Sequence, residues 1–107
     1  MTRSPTFCLD TYVIDTLMHD LVGHDRRPSA FIAYLFFLRE CSKDSAGSCR
    51  ASLARIAEAT GLSRRTVQDA IVLLRRRRLL TVSSDARTAI PEYVVRRPWA
   101  DSRGRAG

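Results

Sequence analysis

Of the eighteen basic residues in this 107-residue chain, all but Lys43 are arginine, against eleven acidic residues and a net charge of +7. They are unevenly placed. Residues 1–47 hold five basic and six acidic groups, whereas residues 48–107 hold thirteen arginines and five acids. The planar guanidinium fork suits phosphates and guanine edges, so the second half has the composition of a nucleic-acid footprint. A GC-rich genome would explain arginine in place of lysine, but not the segregation.

The other reactive side chains do not assemble into a catalytic or metal pattern. His19 and His24 lie five apart across an expected helix end, with no cysteine or carboxylate at metal-ligand spacing. Cys8, Cys41 and Cys49 are odd in number and form no CxxC pair, so they read as reduced thiols, two of them filling the core. Asp10, Asp15, Asp20 and Asp25 recur every five residues, a spacing that rotates round a helix instead of gathering carboxylates. A Gly-rich phosphate loop, a Gly-x-Ser-x-Gly elbow and a partnered catalytic cysteine are all missing. The expectation is a protein that is not an enzyme, with no metal, cofactor or small-molecule ligand. The longest apolar stretch, Ala30 to Leu38, has nine residues, against the ~18 a membrane span needs. The opening MTRSPTFCLD lacks the apolar core of a secretory signal, which points to a cytoplasmic, nucleoid-associated protein with no membrane partner.

With 45% apolar residues, the chain has material for one domain, 1–107, with one modest core. Asp10 is placed to cap a helix reaching about Val22, with Ile14, Leu17, Met18 and Leu21 as its stripe and Val13 and Val22 widening it. Residues 23–28 (GHDRRP) are a break, and a second helix runs from about Ser29 to Ser42. Its AFIAYLFFL is apolar nearly all round, which one buried face does not explain. After the turn KDSAGS, residues 49–51 suit a very short strand. Ser52 caps a third helix that Gly61 stops, and Ser63 caps a fourth over 64–77. Strands follow at 79–83 and 92–97, separated by a polar loop at 84–89. The organisation expected is therefore a helical pair at 10–42, a module at 48–97 and a mobile basic tail at 98–107.

The stretch Leu53 to Ala70, LARIAEATGLSRRTVQDA, is the most informative. Two short helices crossing at a sharp angle need a small residue at the crossing (Ala57), a turn residue tolerant of positive φ (Gly61), and apolar pins on the second helix (Val67, Ala70). Leu62 fills the space beneath the turn. The longer run SLARIAEATGLSRRTVQDAIVLLRRRRLLTV resembles the winged helix-turn-helix domains of bacterial regulators: a serine cap, a Leu-Ala pair, Gly-Leu-Ser, an Arg-Thr-Val step, a leucine, and a strand into the wing. The match covers about residues 48–97. It implies a mainly α fold with a small β-hairpin wing, preceded here by two N-terminal helices. One departure is Arg78, where the family usually has glycine. An arginine there must adopt the left-handed conformation or let the helix exit differently.

At 100° per residue, the core side of the fourth helix is Val67, Ile71 and Leu74. Arg65, Asp69, Val72 and Arg76 point away, with Gln68 and Arg75 on one flank and Thr66 on the other. The resemblance places this helix in the major groove with its N-terminal turns at base edges. Arg65 is then matched to guanine O6 and N7, and Gln68 to adenine N6 and N7. Asp69 either orients Arg65 or accepts from cytosine; the competing reading is an ordinary i, i+4 surface ion pair. Ser63, Arg64 and the first amides suit a phosphate, as does Arg76, while Arg75, Arg77 and Arg78 read equally well as a solvated face. Arg87, in the loop, is placed for the minor groove at a wing tip.

The expectation is a sequence-specific double-stranded DNA-binding protein, acting as a small homodimeric transcriptional regulator. The alternatives are an accessory factor for replication, partition or excision of a mobile element, and a protein-interaction winged helix. A homodimer is expected because the second helix carries more apolar surface than a small core covers, with Phe36 and Phe37 as the contact.

Overall fold

Helix α2, Pro28–Cys41, lies at the centre of the protein, whose computed structural model describes residues 5–83 and 90–100. Its leading proline sits where the missing N–H costs nothing. Around it are helix α1, built of two π-helical stretches at Val13–Leu17 and His19–His24, strand β1 at Ser48–Arg50, helices α3 (Leu53–Thr60) and α4 (Arg64–Arg76), and strands β2 (Leu80–Ser83) and β3 (Glu92–Val95). The architecture is mixed α/β, with a three-stranded antiparallel sheet in the order β1-β3-β2. The β2–β3 hairpin near the C-terminus is consistent with a wing. β1 was expected as a short strand, and it adds itself to the free edge of β3, with Cys49 opposite Tyr93.

Most of the apolar circumference of α2 is covered by the chain itself, with Ile32 left 40% exposed. Ala30, Phe31, Ala33, Tyr34, Phe37, Leu38 and Cys41 are buried, against α1 on one side and α3, α4, β1 and β3 on the others. The dimer contact expected at Phe37 is therefore corrected. Its ring is 0% exposed, packed on Tyr93 with centroids 4.7 Å apart, and no surface remains for a second copy to touch. Phe36 is half-buried, edge-on to Phe37 and beneath the Arg55 guanidinium. Tyr34, also fully enclosed, donates its hydroxyl to the Arg96 carbonyl at 2.7 Å, so α2 holds the end of β3 as well as the core.

Helix α1 departs from the expected α-helical stripe. Its hydrogen bonds include Met18 N–H to the Val13 carbonyl and Asp25 N–H to the Asp20 carbonyl, both i→i+5. The wide winding, at roughly 80° per residue instead of 100°, separates the apolar residues into two rows. Val13, Leu17 and Leu21 are buried, while Ile14, Met18 and Val22 are 45%, 39% and 38% exposed. Asp10 does not serve as the expected side-chain cap either. Its carboxylate accepts from Trp99 Nε1 at 2.9 Å and from Arg97 at 3.2 Å, and the Trp99 ring stacks on Tyr12 with centroids 4.5 Å apart. Residues 98–100 form a helical turn, so the start of the expected mobile tail is tied down; residues 101–107 lie outside the described residues.

Two contacts fix the far end of α4. Arg77 grips Asp25 with two parallel bonds, Nε to Oδ2 at 2.7 Å and Nη2 to Oδ1 at 2.6 Å. One arginine expected on a solvated face thus locks α4 to the α1–α2 turn. Arg78 follows with φ 61°, the left-handed option. Its N–H reaches the Arg75 carbonyl at 3.0 Å, and that of Leu79 reaches the Leu74 carbonyl at 2.9 Å. This is the paired-bond helix stop that usually takes glycine, with buried Leu74 and Leu79 as its apolar clasp.

The Arg77 hydrogen bonds, with a lesser one from His24, hold the Asp25 carboxyl down at about 2 against an ordinary value of 3.8. Its contribution to stability is complete above that ordinary value and is lost as pH falls towards 2. Stability measured by urea unfolding between pH 5 and pH 2 should therefore fall less in Asp25→Asn than in the unmodified chain, and at neutral pH the substitution should cost on the order of 1–2 kcal/mol. Equal pH dependence in both would remove the pair from the account. Arg78→Gly should stabilise by about 1 kcal/mol, since only the Cβ penalty is relieved; an unchanged or lowered melting temperature would show that Arg78 is held there by something else.

Candidate nucleic-acid interface

Local chemistry sets the start of α4. Ser52 Oγ accepts from Arg55 N–H at 3.1 Å to begin α3. Gly61 takes φ 82° to end it, and Thr60 Oγ1 ties back to the Ile56 carbonyl at 2.7 Å. Ser63 then caps α4 by accepting from Thr66 N–H at 3.1 Å. Each step uses residues within four positions of one another. The turn Gly61-Leu62-Ser63 delivers α4 with Val67, Ala70, Ile71 and Leu74 inward.

The opposite face is open. Arg64, Arg65, Gln68, Asp69, Val72, Arg75 and Arg76 are all exposed. Of these, the side chains of Arg64, Gln68, Arg75 and Arg76 make no hydrogen bond or ion pair among the described residues. Arg65 and Asp69 form the i, i+4 pair at 3.6 Å, with the arginine side chain 84% exposed. Such a pair is worth only a few tenths of a kcal/mol, so Arg65 can leave it for another acceptor at little cost. Val72, 53% exposed in the middle of this polar surface, is the one apolar side chain there. Arg64 and Arg76 stand about 18 Å apart along the axis, near its two ends.

Ser63, expected at a phosphate, is the cap of α4. Its hydroxyl donates to Thr66 Oγ1 at 2.8 Å while accepting from the Thr66 amide, so its single proton is already committed. The Thr66 hydroxyl lies beside it on the same first turn. Arg87 lies outside the described residues.

The surroundings of α4 add groups that local sequence did not reveal. A groove of about 650 Å³ runs between the N-terminal ends of α3 and α4 and the base of the hairpin, lined by Ser52, Arg64, Gln68, Val72, Pro91 and Tyr93. It places the hairpin directly beside the outward face of α4. At the other end, a hollow of about 250 Å³ brings Arg27 alongside Arg76 and Asp69. Arg27 was not singled out from the sequence, because its approach depends on the Asp25–Arg77 contact fifty residues away in the chain. No group of three or more His, Cys, Asp or Glu side chains among the described residues could hold a metal ion, and no described helix is long and apolar enough to cross a membrane.

Chemically, the face offers fork-shaped cations at both ends, an amide and a carboxylate between them, and one apolar patch. Comparison with family models, curated proteins and solved structures found no match to this chain.

Ser63→Ala removes the cap and should lower stability by about 1 kcal/mol, read as a shift in the unfolding midpoint. Thr66→Val should cost much less. The reverse order would mean that Ser63 is not the residue that starts α4.

Proposed function

We propose that the chain is a winged helix-turn-helix protein that binds double-stranded DNA, with α4 in the major groove and the β2–β3 hairpin as the wing beside it. The single observation that carries this reading is the outward face of α4: a row of exposed, largely unpartnered Arg and Gln side chains on a helix whose other face is locked into the core. The resemblance of residues 48–97 to bacterial regulators supports it, as does the concentration of arginine in that half. Arg65 and Gln68 read base edges, Val72 meets a thymine methyl, and Arg64, Thr66, Arg76 and Arg27 contact phosphates. Binding, without catalysis, is the whole of its molecular activity. A small homodimeric transcriptional regulator is the use that fits best.

The dimer in this reading is built on α1. Ile14, Met18 and Val22 form an exposed apolar row in the half of the chain that carries a net charge of −1. Two copies meeting there keep their arginine-rich halves apart and present two α4 helices to half-sites about one helical turn apart, ~34 Å.

Selection of bound sequences from random duplex DNA tests the proposal. A palindromic consensus is expected; no enrichment over input would overturn it. On the selected site Arg65→Ala should cost ~1–3 kcal/mol and relax preference at one base step, whereas an equal loss on random DNA would make Arg65 a phosphate contact. Arg76→Ala should make the log–log salt dependence shallower by about one unit, and an unchanged slope would remove Arg76 from the phosphate contacts. Met18→Glu should convert the dimer to monomer in sedimentation. A monomeric unmodified chain, both free and on the two-half-site DNA, would remove the dimer.

A further inference from the structure

The three cysteines, alike as isolated thiols in the sequence, are not equivalent in the fold. Cys41 lies in the last turn of α2 and Cys49 in the middle of β1, and their Sγ atoms are 3.1 Å apart. The turn between them is held by Asp44, whose carboxylate accepts from the Ala46 amide at 3.1 Å, the Ser48 amide at 3.3 Å and the Ser48 hydroxyl at 2.9 Å. Cys41 is buried and Cys49 half-buried, and the Tyr93 carbonyl lies 3.9 Å from the Cys41 sulfur. Cys8 is exposed and has no such sulfur partner among the described residues.

We propose that Cys41 and Cys49 are a redox site that a peroxide converts to an intramolecular disulfide, stapling α2 to β1, and that a dithiol reductant reopens. The geometry leaves little to do: the sulfurs must close by about 1 Å to reach bonding distance. A hollow of about 230 Å³ lined by Cys8, Leu38, Cys41, Ser42 and Gly47 opens on the Cys41 side of the pair, and Cys49, only half-buried, keeps exposed surface of its own.

The order of steps follows from the polarity of the contact. Cys41 donates its S–H to Cys49, which lowers the Cys49 thiol against the opposing effects of burial and of the Glu40 and Glu92 carboxylates, with the Arg55 guanidinium adding to the lowering. The same hydrogen bond, with burial, pushes Cys41 up. Cys49 is thus the thiolate that attacks. Its sulfur takes one peroxide oxygen as the O–O bond breaks, leaving a sulfenic acid and a hydroxide that picks up a proton to become water. Cys41 then loses its proton and attacks that sulfur, the S–O bond breaks, and a second water leaves. Two thiols and one hydrogen peroxide give one disulfide and two waters. The reductant reverses this by thiol–disulfide exchange, ending as its own disulfide.

This inference is independent of DNA binding. Its test is to treat the fully reduced chain with hydrogen peroxide, block remaining thiols with iodoacetamide, and digest with trypsin without reduction. Cleavage after Arg39, Lys43 and Arg50 places the two sulfurs in separate peptides, 40–43 and 44–50. The expected result is a cross-linked pair of these peptides, a fall from three titratable thiols to one, and recovery of all three with dithiothreitol. Cys8→Ser should still form the cross-link, and Cys49→Ser should not. The oxidised chain should melt roughly 5–10 °C higher than the reduced one. Alkylation of both Cys41 and Cys49 after oxidation, a linkage through Cys8, or sulfinic acid at Cys49 without a cross-link would each overturn the proposal.

Discussion

The fold depends on enclosing α2. A helix apolar on nearly every side cannot lie on a surface, so the other elements are arranged as its cover, and each does a second task from that position. α1 seals one flank and leaves its opposite row of apolar side chains outside. α3 and α4 seal another, which fixes the inward face of α4 and, by subtraction, its outward one. β1 and β3 close the remainder through Tyr93, which packs on Phe37. Tyr34 adds a polar tie from this centre to the end of the sheet, through the Arg96 carbonyl. The residue that would be hardest to replace is therefore Phe37 or Tyr34, neither of which touches solvent.

Electrostatics then divides the molecule into a structural and an outward set of arginines. Arg77, Arg55 and Arg97 face carboxylates at Asp25, Glu40 and Asp10, at 2.6, 2.9 and 3.2 Å, and they join elements that are distant in sequence. Arg64, Arg75 and Arg76 have no such partners among the described residues. The outward face of α4 thus carries cations free of acidic partners, while Asp25, Glu40 and Asp10 are used to hold the frame. The run Arg75-Arg76-Arg77-Arg78 shows the division within one helical turn: two residues face water, one holds the α1–α2 turn, and one bends the chain into β2.

What was legible in the sequence was what short-range chemistry decides. The caps at Ser52 and Ser63, the left-handed Gly61 and the inward row of Val67, Ala70, Ile71 and Leu74 involve residues within a few positions, so α3 and α4 were placed closely. The strain at Arg78 was legible for the same reason. α1 differs from its α-helical stripe because it winds as a π-helix, and Ile14 and Met18 lie outward. The apolar excess of α2 is met mostly by its own chain, with Phe37 inside and Ile32 still partly exposed. The Asp25–Arg77 fork, the Asp10–Trp99 tie and the Cys41–Cys49 pair had no local signal, since each joins segments that only the tertiary fold brings together. For the cysteines, a turn-forming KDSAGS between them was the one hint available.

The measurement that tests the central claim most directly is amide NMR of the chain titrated with a mixed-sequence DNA duplex at low salt. The account predicts that the largest shift changes fall on Arg64 to Val72, the Arg76 end of α4 and the β2–β3 hairpin, with α2 unmoved, and that they reverse as salt is raised. Changes confined to α1, or none at saturating duplex, would contradict it.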